Sequence, residues 1–203
     1  MAVRTIEFRI IMQTIVKNIQ KQFLLRKLST ESALLGGGEE LEKFNKQVES
    51  AVDMLRPAHE FYVNNISSPN MAASLELAGC LFALCQWKKP SRLLDLGSGF
   101  SSYVLRLYAS KVTGCSVTSV DDDSAWLEKT KTYLQQMDVS VENVITLHEL
   151  VQSDQKNYDI ILHDMNFVEV RKNYIEEVIK RTKKDGLIIF DDVHKMDYLV
   201  NVM

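Results

Sequence analysis

Hydrophobic positions follow a helical period in the first part of this chain and a mixed strand and helix pattern after Ser91. Ile11, Ile15, Ile19 and Phe23 recur every four residues and mark one face of a helix. Arg4, Arg9, Lys17, Lys21, Arg26 and Lys27 decorate that segment, with Glu7 as its acid. Such a helix packs on its own domain or a second subunit, lies on an anionic surface, or serves as a targeting presequence. Gly36-Gly37-Gly38 breaks the pattern. Leu41, Phe44, Val48, Val52 and Leu55 predict a second helix over 39–55, which Pro57 ends. Asn64 to Pro69 reads as a loop carrying a helix start, with Ser68 as N-cap and Pro69 in the first helical position. The mostly apolar helix that follows covers 71–87 and closes at Lys88-Lys89-Pro90.

From Ser91 onward the spacing predicts alternating elements. Strands are expected at Leu93–Leu96, Ser116–Val120, Val144–Leu147, Tyr158–Leu162 and Gly186–Phe190. Helices are expected at Ser101–Ser110, Ser124–Met137 and Val168–Lys183. This alternation implies an α/β fold whose parallel sheet has right-handed crossovers. Two regions follow: a helical extension over 1–68, acting as lid, dimer contact or substrate cap, and an α/β core over 69–203. Ligands on such sheets bind at the carboxyl ends of the strands.

Composition narrows the class. The chain has 203 residues, 46% hydrophobic and 25% charged, enough for one domain with a sizeable core and some additions. A net charge of −3 gives no general attraction to nucleic acid, and no apolar run reaches the length of a membrane span. Three cysteines, Cys80, Cys85 and Cys115, argue against a disulfide framework and a zinc site, and for reduced thiols in the cytoplasm.

The candidate chemistry lies at the strand ends. Leu93 to Leu96 runs into Gly97-Ser98-Gly99 and then a helix. Glycines let the backbone approach a ligand, and the helix N-terminus offers unpaired N–H groups. Acids end each following strand: Asp121-Asp122-Asp123, His148-Glu149, His163-Asp164 and Asp191-Asp192. A carboxylate at Asp121 can accept both hydroxyls of a ribose, while Asp123 caps the next helix.

Leu94-Asp-Leu-Gly-Ser-Gly99, Val117 to Asp123, Tyr158 to Asp164 and Asp185 to Asp192, in that order, resemble a class I S-adenosylmethionine-dependent methyltransferase. The resemblance covers about half the chain and is most similar to the catechol and caffeoyl-CoA type of small-molecule O-methyltransferase. It implies a Rossmann-like sheet of strand order 3-2-1-4-5. Asp95, Gly97, Ser98 and Gly99 would line the methionine end of the cofactor, with Ser101 and Ser102 close by. Asp121, with Asp122 beside it, would hold the ribose. Glu149, or else His148, would stand near the adenine amino group. Asp164 would face the reacting methyl, and the acceptor would be a hydroxyl of a small molecule.

Some positions depart from that pattern. Ser101 stands where a third glycine is common. In the catechol-type enzymes an acid and an Asp-Asn pair hold magnesium; here the set is Asp164, Asp191 and Asp192. That set either takes Mg²⁺ or meets only cofactor, backbone and solvent. The lysine that serves those enzymes as general base is Phe167 here, which leaves His194, His163 and Lys195 as titratable replacements, His194 the best placed. A nucleic-acid methyltransferase is disfavoured, because His163 to Phe167 lacks the Asn/Asp-Pro-Pro-Tyr-type loop. A cofactor-binding protein without activity is the non-enzymatic alternative. The family's final antiparallel strand pair is missing, which reads as C-terminal truncation. The alternative to truncation is that the N-terminal helices or a homodimer partner cover the open sheet edge.

Overall fold

The computed structural model describes residues 37–165 and 168–192. The chain divides into two compact units, residues 1–45 and 46–203. The basic helix, Phe167, His194 and Lys195 lie outside the described residues.

The elements, in order, are α1 (Gly37–Asn65), α2 (Leu75–Lys88), β1 (Arg92–Leu96), α3 (Phe100–Ala109), β2 (Ser116–Asp121), α4 (Ser124–Gln136), β3 (Val144–Thr146), α5 (Leu147–Gln152), β4 (Tyr158–His163), α6 (Val168–Asn173), α7 (Ile175–Arg181) and β5 (Thr182–Phe190). The strands form one parallel sheet of order β3-β2-β1-β4-β5, as the resemblance implies. Period-two alternation sends successive residues to opposite faces. Leu93 joins the apolar layer that also holds Tyr62, Phe82, Val104 and Tyr133, while Leu94 and Leu96 join the layer with Leu150, Ile161 and Val178. Among the described residues, no helix is long and apolar enough to cross a membrane.

Three local expectations are corrected. Helix α1 does not stop at Pro57 but continues to Asn65 with the proline inside it. Ala51, Leu55 and Tyr62 are all nearly inaccessible, and Tyr62 packs on Tyr133 at 4.7 Å and on Phe100 at 5.6 Å. Burying Leu55 and Tyr62 contributes on the order of 4 kcal/mol, against roughly 3 kcal/mol for a proline in a helix interior, so packing wins. Helix α2 starts at Leu75, not Met71. Ser74 caps it by accepting the Leu77 N–H at 3.1 Å, whereas the Ser68 carbonyl closes a single turn with Met71 and Ala72. The expected helix over 168–183 is two short helices that meet at Tyr174. The last strand begins early, at Thr182, because Thr182 pairs with Tyr158 across an irregularity in register.

Beneath the turn after β1 lies a buried polar knot. Asp95 is wholly inaccessible and shares the Leu93 face of the sheet. Its carboxylate accepts hydroxyls from Ser101 at 2.9 Å, Ser102 at 2.5 Å and Ser119 at 3.2 Å. Ser102 in turn accepts the Gly99 N–H at 3.1 Å. Arg106, also buried, donates to Ser119 Oγ at 2.5 Å and to the Glu142 carbonyl at 2.9 Å. Burial pushes the Asp95 carboxyl up to about 6, although the serine hydroxyls and the Arg106 charge pull the other way.

Two predictions follow from this packing. Pro57 is exposed, so its ring fills no space in the core. Pro57→Ala restores a helical N–H donor and should raise stability by about 2 kcal/mol, measured as a higher Tm; an unchanged or lower Tm would contradict the argument. For Asp95, a folded-state pKa above the ordinary 3.8 means that the native protein holds the proton longer than the unfolded chain. Its contribution is therefore fully present below about pH 4 and is lost as pH rises through about 6. Asp95→Asn cannot titrate. Urea denaturation should show the variant gaining on the wild type across that window by at most about 3 kcal/mol, and a flat difference would contradict the burial argument.

Candidate active site

The turn after β1 forms the floor of a cleft of about 870 Å³ at the carboxyl edge of the sheet. Gly97 has a φ of +107°, and a Cβ there would lie 2.0 Å from the Asp164 carbonyl oxygen, so only glycine fits. The Asp164 N–H bonds to the Leu96 carbonyl at 2.7 Å, and the Gly97 N–H to the Val120 carbonyl at 2.9 Å. The ends of β1, β2 and β4 are thereby tied by backbone alone. Gly99 lies against the Tyr62 hydroxyl, which would be 2.9 Å from a Cβ at that position.

Gly97, Ser98, Gly99 and Ser101 line the cleft, with Asp121, Asp122, Asp164, Asp191 and Asp192 around them. Of the expected turn residues, Asp95 and Ser102 stay beneath the surface, both fully inaccessible. They hold the turn in shape and do not line the cleft.

Asp121 is in place but already engaged. Its Oδ2 accepts the Ser98 N–H at 2.9 Å and the Ser98 hydroxyl at 3.1 Å, and its Oδ1 accepts the Asp123 N–H at 3.1 Å. Each carboxylate oxygen takes two hydrogen bonds at most, so Asp121 has room for one further donor rather than a pair. Burial raises its pKa against these bonds. Asp122 beside it is exposed and lines the cleft. Asp123 caps α4 as expected, accepting the Ala125 and Trp126 N–H groups at 2.8 and 3.1 Å. Trp126 Nε1 donates to the Ser98 carbonyl at 2.7 Å and locks α4 to the turn.

His148 and Glu149 are not brought to the site. Strand β3 ends at Thr146, and both residues are exposed on α5, away from the cleft lining. Glu149 folds back to accept the Thr146 N–H at 2.7 Å and the Thr146 hydroxyl at 2.8 Å, and these bonds hold its pKa down. This is a capping box, legible in Thr146-Leu-His-Glu149 and missed in the strand reading. His163 is likewise inaccessible: its ring meets Phe190 edge-on at 5.6 Å, and burial lowers its pKa to about 4. It is neutral near pH 7 and does not face the cleft.

Sequence reasoning missed Arg171, which reaches into the acids from α6. Its side chain is 4% exposed, and the guanidinium meets Asp164 Oδ1 at 2.8 Å and Asp192 Oδ2 at 3.3 Å. It also donates to the Asp191 carbonyl at 3.2 Å and to the Met165 carbonyl. Asp191 Oδ1 accepts the Asp192 N–H at 2.8 Å. Burial and the Asp191 charge push the Asp164 pKa up, and Arg171 opposes them. The donor set does not fit a divalent ion, because a fixed cation already bridges two of the carboxylates that such an ion would share. Tyr62 and the loop Asn70 to Ser74 also line the cleft; the His59 Nε2–H donates to the Ala73 carbonyl of this loop, 3.0 Å away.

No family profile matches the chain. The arsenite methyltransferase of Mus musculus is 27% identical over 165 residues, which are 73% of this chain and 43% of the mouse protein, so the chain spans less than half the length of that curated relative. Among solved structures, the O-methyltransferase TomG of Streptomyces achromogenes, in complex with SAM, superposes with a TM-score of 0.54 at 16% identity, over 85% of this chain and 74% of that one. The Bacillus cereus O-methyltransferase in complex with SAH gives 0.53 at 16% identity, over 82% and 72%. Together with the sheet order and the glycine turn, these likenesses show that the chain has the fold of the class I S-adenosylmethionine-dependent methyltransferases.

Proposed function

We propose that this chain transfers a methyl group from S-adenosylmethionine to a hydroxyl oxygen of a small molecule. The observation that carries the reading is the Gly97–Gly99 turn, held open to the cleft by backbone ties and set beside Asp121 and Asp122. Bound S-adenosylmethionine supplies a methyl already activated on a positively charged sulfur. The residues present suit it. The first turn of α3 offers N–H groups to the methionine carboxylate. Asp121 and Asp122 take one ribose hydroxyl each. The six carboxylates of Asp121, Asp122, Asp123, Asp164, Asp191 and Asp192 outnumber the guanidinium of Arg171 on the cleft wall, which favours a ligand of net positive charge. Asp164 faces the reacting end, and the protein's main contribution there is alignment of acceptor, methyl and sulfur. By sequence position His194 is the base of this proposal. Magnesium is not part of it, because Arg171 bridges Asp164 and Asp192.

Arsenite, the acceptor in the mouse relative's name, is a soft centre that suits thiolate ligands. None of the three cysteines lines the cleft among the described residues, and burial pushes the Cys85 thiol up to about 12. A hydroxyl acceptor is therefore favoured, in keeping with the O-methyltransferases that share the fold.

Isothermal titration with S-adenosylhomocysteine tests the cofactor site. The wild type should bind, and Gly97→Ala should lose binding, because its Cβ has no space. Asp122→Ala, an exposed position that leaves the fold intact, should weaken binding by about tenfold or more, the worth of one charge-assisted hydrogen bond. Unchanged affinity in Asp122→Ala together with retained binding in Gly97→Ala would remove the site.

A further inference from the structure

We propose that Arg171 is the resident cation of the acid cluster at the ends of β4 and β5, so that this chain's chemistry runs without a divalent metal. The inference builds on the methyltransferase reading, but its observations are independent of the cofactor. Three carboxylates, Asp164, Asp191 and Asp192, converge where the chain leaves two neighbouring strands. Neighbouring like charges, partly shielded from water, push the Asp164 pKa up, and a counter-charge offsets this. Arg171 supplies it from within the chain. Its side chain is 4% exposed and spans Asp164 and Asp192, and it also takes the Met165 and Asp191 carbonyls, so both strand ends are fixed to one guanidinium. A guanidinium does not deprotonate and is directional, unlike a bound ion. It therefore holds Asp164 Oδ1 and Asp192 Oδ2 at any metal concentration, and its fixed positive charge opposes a second cation beside it.

Mn²⁺, read by electron paramagnetic resonance on the purified chain, tests this directly. The wild type should leave Mn²⁺ free, and its affinity for S-adenosylhomocysteine should be the same with EDTA as with added Mg²⁺. A saturable Mn²⁺ site in the wild type that Asp192→Asn abolishes would overturn the proposal. Arg171→Met approaches it from the other side. A folded variant should gain a Mn²⁺ site that a second change, Asp164→Asn, removes; a folded variant that gains none would show that the acids need no cation and would equally overturn it. Should Arg171→Met not fold, the wild-type measurement alone decides. Absence of S-adenosylhomocysteine binding in the wild type would count against the cofactor reading and leave the Mn²⁺ result to stand by itself.

Discussion

The contact on which the cleft depends is the approach of Gly97 to the backbone of Asp164. Strand β1 turns away from the sheet within van der Waals reach of the strand beside it, and no side chain fits in the gap. That closeness brings the turn, the acid at the end of β2 and the acid at the end of β4 to one place. The buried knot of Asp95, Ser101, Ser102 and Ser119 supports the turn from below. Arg106 adds a buried positive charge to this knot, so the floor of the cleft is set by polar groups that solvent never reaches.

Charge then divides the cleft into two parts. On the side of β2, Asp121 accepts from neutral donors, the Ser98 N–H and hydroxyl and the Asp123 N–H. On the side of β4 and β5 they meet Arg171. The first arrangement leaves acceptors for the hydroxyls of a ligand. The second consumes acceptors to hold two strand ends together. The acidic cleft therefore keeps carboxylate oxygens open in one half and ties two strand ends together in the other.

Much of this was legible in the sequence, for physical reasons. Strand positions follow from short β-branched and aliphatic runs, and the glycine turn from Asp95-Leu-Gly-Ser-Gly99. Asp123 was readable as a cap because a carboxylate before a helix has one evident use. The errors arose where a long-range contact overrides a local signal. Pro57 ends a helix in isolation, but the burial of Leu55 and Tyr62 carries α1 past it. Glu149 looked like a strand-end acid because β3 was read one residue too long; the Thr146 capping box turns the chain first. Asp95 looked like a ligand residue, yet the three serines around it come from α3 and β2, and only the folded sheet assembles them. Arg171 had no sequence signal at all: an arginine on a short helix normally faces water, and only the geometry of the strand ends draws it inside.

The central claim is that the glycine turn and the β2 acids receive an adenosyl cofactor while Arg171 holds the remaining acids. A crystal structure of the chain grown with S-adenosylhomocysteine and Mn²⁺ tests both halves at once. The account predicts the ligand's carboxylate at the first turn of α3, its ribose between Asp121 and Asp122, and Arg171 bridging Asp164 and Asp192 with no anomalous manganese signal there. A manganese peak among Asp164, Asp191 and Asp192 with Arg171 displaced, or a ligand seated away from Gly97 and Gly99, would contradict it.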